Sequence, residues 1–186
     1  TDHGVMYGVI DFYREAKSQG INPILGCEVY VAPNSRFDRE VTGGEDRYYH
    51  LVLLAENNEG YANLMKIVSK GFVEGYYYKP RVDKELLRKY HSGIIALSAC
   101  LAGEVSRYLM KGLYDEAKKA ALEYRDIFGK DHFYLELQDH GMPEQRPHGL
   151  PVVQRAWDLS RDFLQLGKPL SESSSGSDPA TELRPS

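Results

Sequence analysis

An α/β fold with a largely parallel sheet, open or closed into a barrel, is what this sequence predicts, and three observations carry the expectation. Short apolar runs rich in branched and aromatic residues alternate with longer stretches whose apolar positions recur at helical spacing. That alternation is the pattern of a sheet whose strands are joined by covering helices. The composition, 42% hydrophobic, 11% aromatic and 27% charged over 186 residues, is that of an ordinary globular chain. With 23 Lys+Arg against 27 Asp+Glu the formal charge is -4. A general polybasic nucleic-acid binder is thereby excluded, and any such contact must be local.

The elements follow in order. Val9, Phe12, Tyr13 and Ala16 predict a helix with one buried face within Val5 to Gln19, stopped at Gly20. Pro23 to Ala32 reads as a buried strand with Glu28 as its anomaly, Pro33 to Arg47 as a polar surface loop, and Tyr48 to Ala55 as a second strand with His50 as its odd residue. Asn57 or Asn58 caps a helix whose face is Tyr61, Leu64, Met65 and Val68; Asp83 caps a shorter one holding Leu86, Leu87 and Tyr90. Between them lies the aromatic and basic loop Gly75 to Arg81. Gly93 to Leu97 is a third strand, followed by helices from Gly103 to Lys111 and from Tyr114 to Phe128, the latter with Ala117, Ala120, Ala121, Tyr124 and Phe128 on one side. His132 to Leu137 is a fourth strand. Residues 146–170 change character, with Val153, Ala156, Trp157, Ser160, Phe163 and Leu164 on one helix face, and 171–186 are Ser, Gly and Pro rich, the composition of a disordered tail.

Four side chains that bind metals interrupt or follow these strands: His3, Glu28, His50 and Cys100. A carboxylate, imidazole or thiolate in an apolar strand is costly to bury without a partner, and a divalent cation is one such partner. The spacing contains no Cys-x-x-Cys and no His-Glu-x-x-His, and a lone strand histidine or cysteine also reads as a satisfied core residue. Cys27 reads as a buried hydrophobe. Asp2 either orients the His3 imidazole from outside or caps the following helix, and His140 either faces the same cleft or sits in a turn. His91, His132 and His148 read as surface residues. Tyr76, Tyr77, Tyr78, Lys79 and Arg81 either stack bases and touch phosphate or pack on their own domain. Two cysteines are too few for a disulfide scaffold. No apolar run approaches the roughly 20 residues of a membrane span, so the expected compartment is the cytoplasm, with no membrane contact.

Thr1-Asp2-His3-Gly4-Val5-Met6-Tyr7-Gly8, Gly26-Cys27-Glu28-Val29-Tyr30, Tyr49-His50-Leu51-Val52-Leu53-Leu54-Ala55, Gly75 to Arg81 and Leu97-Ser98-Ala99-Cys100-Leu101-Ala102-Gly103-Glu104 occur together in one order. In that order and at about those distances they resemble the polymerase and histidinol phosphatase (PHP) domain of bacterial DNA polymerase III alpha subunits, over roughly Thr1 to Gln145. The resemblance implies a distorted seven-stranded (β/α) barrel with a cluster of zinc, manganese or magnesium ions. It also implies that His3, Glu28, His50 and Cys100 are metal ligands, and that a complete site hydrolyses phosphodiesters as a 3′-5′ proofreading exonuclease.

The family's opening His-x-His would precede Thr1, and its closing Asp-x-His occurs nowhere in the chain. The expectation is therefore a fragment: a partial PHP domain over 1–145, truncated at both ends, with an incomplete metal site. Its parent would replicate DNA from deoxynucleoside triphosphates alongside other polymerase III holoenzyme subunits, while the fragment itself lacks the polymerase site and is inert or nearly so. The alternatives are a stand-alone metal-dependent PHP phosphoesterase and a non-catalytic interaction platform.

Overall fold

In the computed structural model, which describes residues 1–40, 47–138 and 159, the chain runs β1 (Asp2–His3), α1 (Val9–Ser18), β2 (Gly26–Val31), β3 (Tyr49–Ala55), α2 (Asn58–Val73), β4 (Arg81–Val82), α3 (Lys84–Tyr90), β5 (Ile94–Leu97), α4 (Glu104–Met110), α5 (Tyr114–Phe128) and β6 (Phe133–Tyr134). β2 is the spine of one mixed sheet ordered β1-β2-β3-β5-β6, and every one of its residues is buried. Along its other edge β1 takes the Cys27–Glu28 half and β4 the Tyr30–Val31 half, both parallel.

One expectation about the sheet is corrected and another is met only in part. It is not largely parallel, because β2 pairs antiparallel with β3, and β3 antiparallel with β5. Parallel neighbours need a crossover, usually a helix, and the polar link from β2 to β3 contains none among its described residues, so the chain turns back beside itself. Nor is a seven-stranded barrel present among the described residues: six strands form an open sheet. The fourth predicted strand shrinks to two residues because β5, its partner, ends at Leu97. Past that point Ser98 alone continues the pairing, donating its N–H to the Tyr134 carbonyl (3.0 Å) and accepting from Glu136 N–H at its hydroxyl (2.8 Å).

The helices are where capping and periodicity put them. Asn57 Oδ1 accepts from Gly60 N–H (2.9 Å) and Asp83 Oδ1 from Leu86 N–H (2.9 Å), closing the first turns of α2 and α3. The buried face of α2 centres on Leu64, Ile67 and Val68, which rotates Met65 outward. Gly60 lies against Gly93 so closely that a Cβ there would come within 1.7 Å of the Gly93 carbonyl oxygen. On α5 Ala117, Ala120, Ala121, Tyr124 and Phe128 are all buried. α1 has the expected period, but only Ala16 is buried; Phe12 and Tyr13 are 50% and 42% exposed, since no described element lies over them.

The 33–47 connection is not merely a surface loop. Arg36 is buried within it, its guanidinium bonded to Asp83 (2.9 Å) and Glu74 (2.7 Å). Leu159, absent from the helix face expected for 146–170, is buried in the same core as β2, α2 and α5. The rest of 146–170, the 171–186 tail and His140 lie outside the described residues. No helix among the described residues is long and apolar enough to cross a membrane.

Candidate metal centre

Three strands and one loop bring the candidate ligands together. In the register of β1 on β2, His3 stands opposite Glu28, and the two side chains meet, His3 Nδ1 to Glu28 Oε1, at 2.9 Å. The neighbouring strand β3 supplies His50, whose Nδ1 lies 3.2 Å from the same carboxylate oxygen. Cys100 arrives from the loop after β5, with its Sγ 3.6 Å from His50 Nδ1.

That loop is tightly tied. His50 N–H donates to the Ala102 carbonyl (3.0 Å), and Gly103 N–H to the Cys100 carbonyl (2.9 Å). Ala99, just before the thiol, has φ 60, a left-handed conformation that L residues with a Cβ avoid. A Cβ on Gly103 would lie 2.1 Å from the Ser98 carbonyl oxygen, so the loop closes only because that position is bare.

Ligand atoms of Glu28, His50 and Cys100 all lie within 4.8 Å of one another. A tetrahedral ion with metal–ligand bonds of about 2.0 to 2.3 Å needs donors roughly 3 to 4 Å apart, so the oxygen, nitrogen and sulfur here fit one ion with little movement. His3 touches this group through Glu28 and is not itself in the three-way cluster; its side chain is 74% exposed. The hydrogen bond from His50 pulls the Cys100 thiol below its ordinary 9.0, and the same bond, with help from the Glu28 charge, raises His50 against the opposing effect of burial. Thiolate is the ligand form of cysteine, and a histidine must be unprotonated at the ligating nitrogen to bind.

The remaining candidates separate. Asp2 accepts from Gly8 N–H (2.9 Å), so its carboxylate organises the turn into α1 and makes no hydrogen bond to His3. Cys27 is wholly buried, and desolvation pushes its thiol up to about 12, which makes it an inert hydrophobe. His132 lies 3.3 Å from Glu56, and the His91 ring is bonded to the Arg88 carbonyl, both away from the cluster.

For Arg81 the second of the two readings, packing on its own domain, describes the side chain: it is buried beneath the loop and donates to the carbonyls of Gly75 (3.3 Å), Arg36 (3.3 Å) and Asp38. Tyr77 packs over it, ring centre to guanidinium 5.0 Å, whereas Tyr76 and Tyr78 are exposed. Lys79 Nζ sits 5.6 Å from the Tyr30 ring, which lies 5.3 Å from the His50 ring, and Tyr48 stacks on His50 at 6.0 Å. Tyr30 and Tyr48 were missed in the sequence because a strand tyrosine is indistinguishable from core packing.

An α/β sheet whose adjacent strands deliver Glu and His, with a Cys from the next strand end, presents a donor group of the kind that can hold a metal ion. The model of the family described as the PHP domain matches residues 1–140, and the chain belongs to that family. Within it, the chain is 50% identical over 159 residues to the DNA polymerase III subunit alpha of Treponema pallidum, covering 86% of this chain and 14% of that protein. It is 48% identical over 160 residues to the protein of the same name from Deinococcus radiodurans (84% of this chain, 12% of that protein). The match to the Borreliella burgdorferi protein of that name, 46% identical, covers 92% of the chain and so extends past Gln145. The chain spans 12 to 14% of the length of these relatives.

Proposed function

We propose that the chain is the PHP portion of a replicative DNA-directed DNA polymerase, and that Glu28, His50 and Cys100, with His3 as a fourth donor, hold a divalent metal ion. The observation that carries this reading is the convergence of those three donors in a chain about half identical to polymerase III alpha subunits. A thiolate beside an imidazole and a carboxylate suits zinc, tolerates manganese and is poorly matched to magnesium. When bound, the ion would supply Lewis-acid polarisation of a phosphoryl oxygen and a more acidic water, the chemistry of phosphodiester hydrolysis in a 3′-5′ exonuclease.

The chain's own residues would do the rest. Glu28 contributes negative charge, its hydrogen bond orients His3, and its charge holds His50 close. Lys79 lies beside Tyr30, which neighbours His50, so one cation next to two rings would draw a single strand toward the centre, with the exposed Tyr76 and Tyr78 of the same loop free to stack bases. The whole protein would take DNA and deoxynucleoside triphosphates, work with other holoenzyme subunits and reside in the cytoplasm. The exposed face of α1, with Ile10, Phe12 and Tyr13, favours a second role as a platform for such subunits.

The metal content of the purified chain, compared with Glu28→Gln, His50→Ala and Cys100→Ser, tests the centre. Zinc or manganese near one equivalent, lost in each variant, is expected; equal content in all four proteins would remove it. The polymerase assignment rests separately on the surrounding gene. It must contain a His-x-His upstream, an Asp-x-His downstream and a polymerase core with its carboxylates.

A further inference from the structure

Glu104 is the first residue of α4 and is buried with its carboxylate divided between two donors. Lys84, the first residue of α3, donates to Oε1 at 2.9 Å, and Tyr124 of α5 donates its hydroxyl to Oε2 at 2.7 Å. Lys84 continues to Glu123 at 2.8 Å. A buried carboxylate and phenol with a partly buried ammonium in one spot are costly to desolvate and bring little net stability over apolar packing, which suggests that the arrangement is kept for geometry.

The geometry it imposes falls on the Cys100 loop. Glu104 directly follows Gly103, whose N–H holds the Cys100 carbonyl and which forms a parallel bridge with His50. The N-cap of α4 is a glycine with no side chain to bond the first turn, so no capping side chain fixes the helix start. The loop also carries the left-handed Ala99, a strained conformation that persists only when the surroundings hold it. At its other end Ser98 is pinned to the 134–136 segment. Glu104 is the corresponding pin on the α4 side, reaching to α3 and α5.

We infer that Glu104, gripped by Lys84 and Tyr124, is a positioning residue that holds the Cys100 thiol at ligand distance from His50 and Glu28. The inference rests on the metal reading above, and it adds three residues that touch none of the ligands. Loss of the grip lets the α4 start and the 98–103 loop relax, moving sulfur away while leaving the Glu28 and His50 strands in place.

Cobalt(II) titration of the chain provides the test, with the thiolate-to-cobalt charge-transfer band as readout and Tyr124→Phe as the gentlest variant, since it removes one hydroxyl and keeps the ring. Glu104→Gln is the second. Cobalt affinity is expected to fall by about 10- to 100-fold in each, the usual effect of removing an outer partner of a metal site, with the charge-transfer band weakened at saturation. A lowered melting temperature with unchanged affinity and band would show a merely structural role and overturn the inference. Amide exchange of the metal-free chain tests the clamp even if no cobalt binds: protection at His50 and Gly103 should fall about tenfold in Tyr124→Phe while that of Leu53 is kept. Unchanged protection at His50 and Gly103 would overturn the inference. Failure of the unaltered chain to bind cobalt would instead refute the metal centre itself.

Discussion

At the scale of single residues, the candidate centre depends on small features of the loop that presents Cys100. Gly103 has an ordinary negative φ, so its requirement is steric: a methyl group there would collide with the Ser98 carbonyl. Gly103→Ala is expected to cost about 1 to 3 kcal/mol, as overpacking does, measured by denaturant unfolding. It should also lower bound metal more than an equally destabilising change in α2, because the displaced atoms carry the thiol. Asp83 concentrates even more. It caps α3 and neutralises the buried Arg36, so Asp83→Ala removes both and is expected to cost about 3 kcal/mol or more. A loss under about 1 kcal/mol, the value of a cap alone, would show that Glu74 by itself satisfies Arg36.

Among the elements, α1 and α2 look alike in sequence and differ in surroundings. Both carry apolar residues at helical spacing. Leu64 on α2 is wholly buried against the sheet, whereas Phe12 on α1 is half exposed. Leu64→Ala is expected to destabilise by about 2 to 5 kcal/mol and Phe12→Ala by under about 1 kcal/mol in the isolated chain, both read from urea midpoints. A large Phe12 effect would mean that something covers α1 in solution.

For the whole molecule, one core joins the sheet to α2, α3, α4 and α5 and includes Leu159. Leu159→Ala should therefore cost about 2 to 5 kcal/mol and shift a single cooperative transition; a second, separate transition would show that the 159 segment folds apart from the core. Acid should loosen the helical layer. Burial alone would raise Glu123, but its pairing with Lys84 holds it below the ordinary 4.5. A depressed folded value means that its contribution is complete above about pH 4.5 and is lost as the pH falls through the folded value. Glu123→Gln is expected to be less stable than the parent at pH 7 and to show a shallower fall in melting temperature below pH 4.5. Parallel profiles for the two proteins would mean that solvent screens the pair.

What the sequence determined by itself is what short-range chemistry encodes. Asn57 and Asp83 as caps, the alanine face of α5 and the β-rich runs of β2, β3 and β5 depend on neighbours within a few residues, and each was legible in advance. The unusual placement of Glu28 and His50 in apolar strands was legible for a related reason, since an ionisable group in such a setting needs a partner somewhere. Which partner it meets was decided only by the tertiary structure. Strand direction depends on how the chain returns, and a polar link with no helix among its described residues reversed β3 where alternation suggested a parallel neighbour. Arg36 and Arg81 look like surface cations, yet Arg36 is satisfied by the distant Asp83 carboxylate and Arg81 by the distant carbonyls of Arg36 and Asp38. The grip of Lys84 and Tyr124 on Glu104 spans three helices and leaves no local pattern. Periodicity reports which face of an element is apolar; only packing settles what covers that face, as the contrast between α1 and α2 shows.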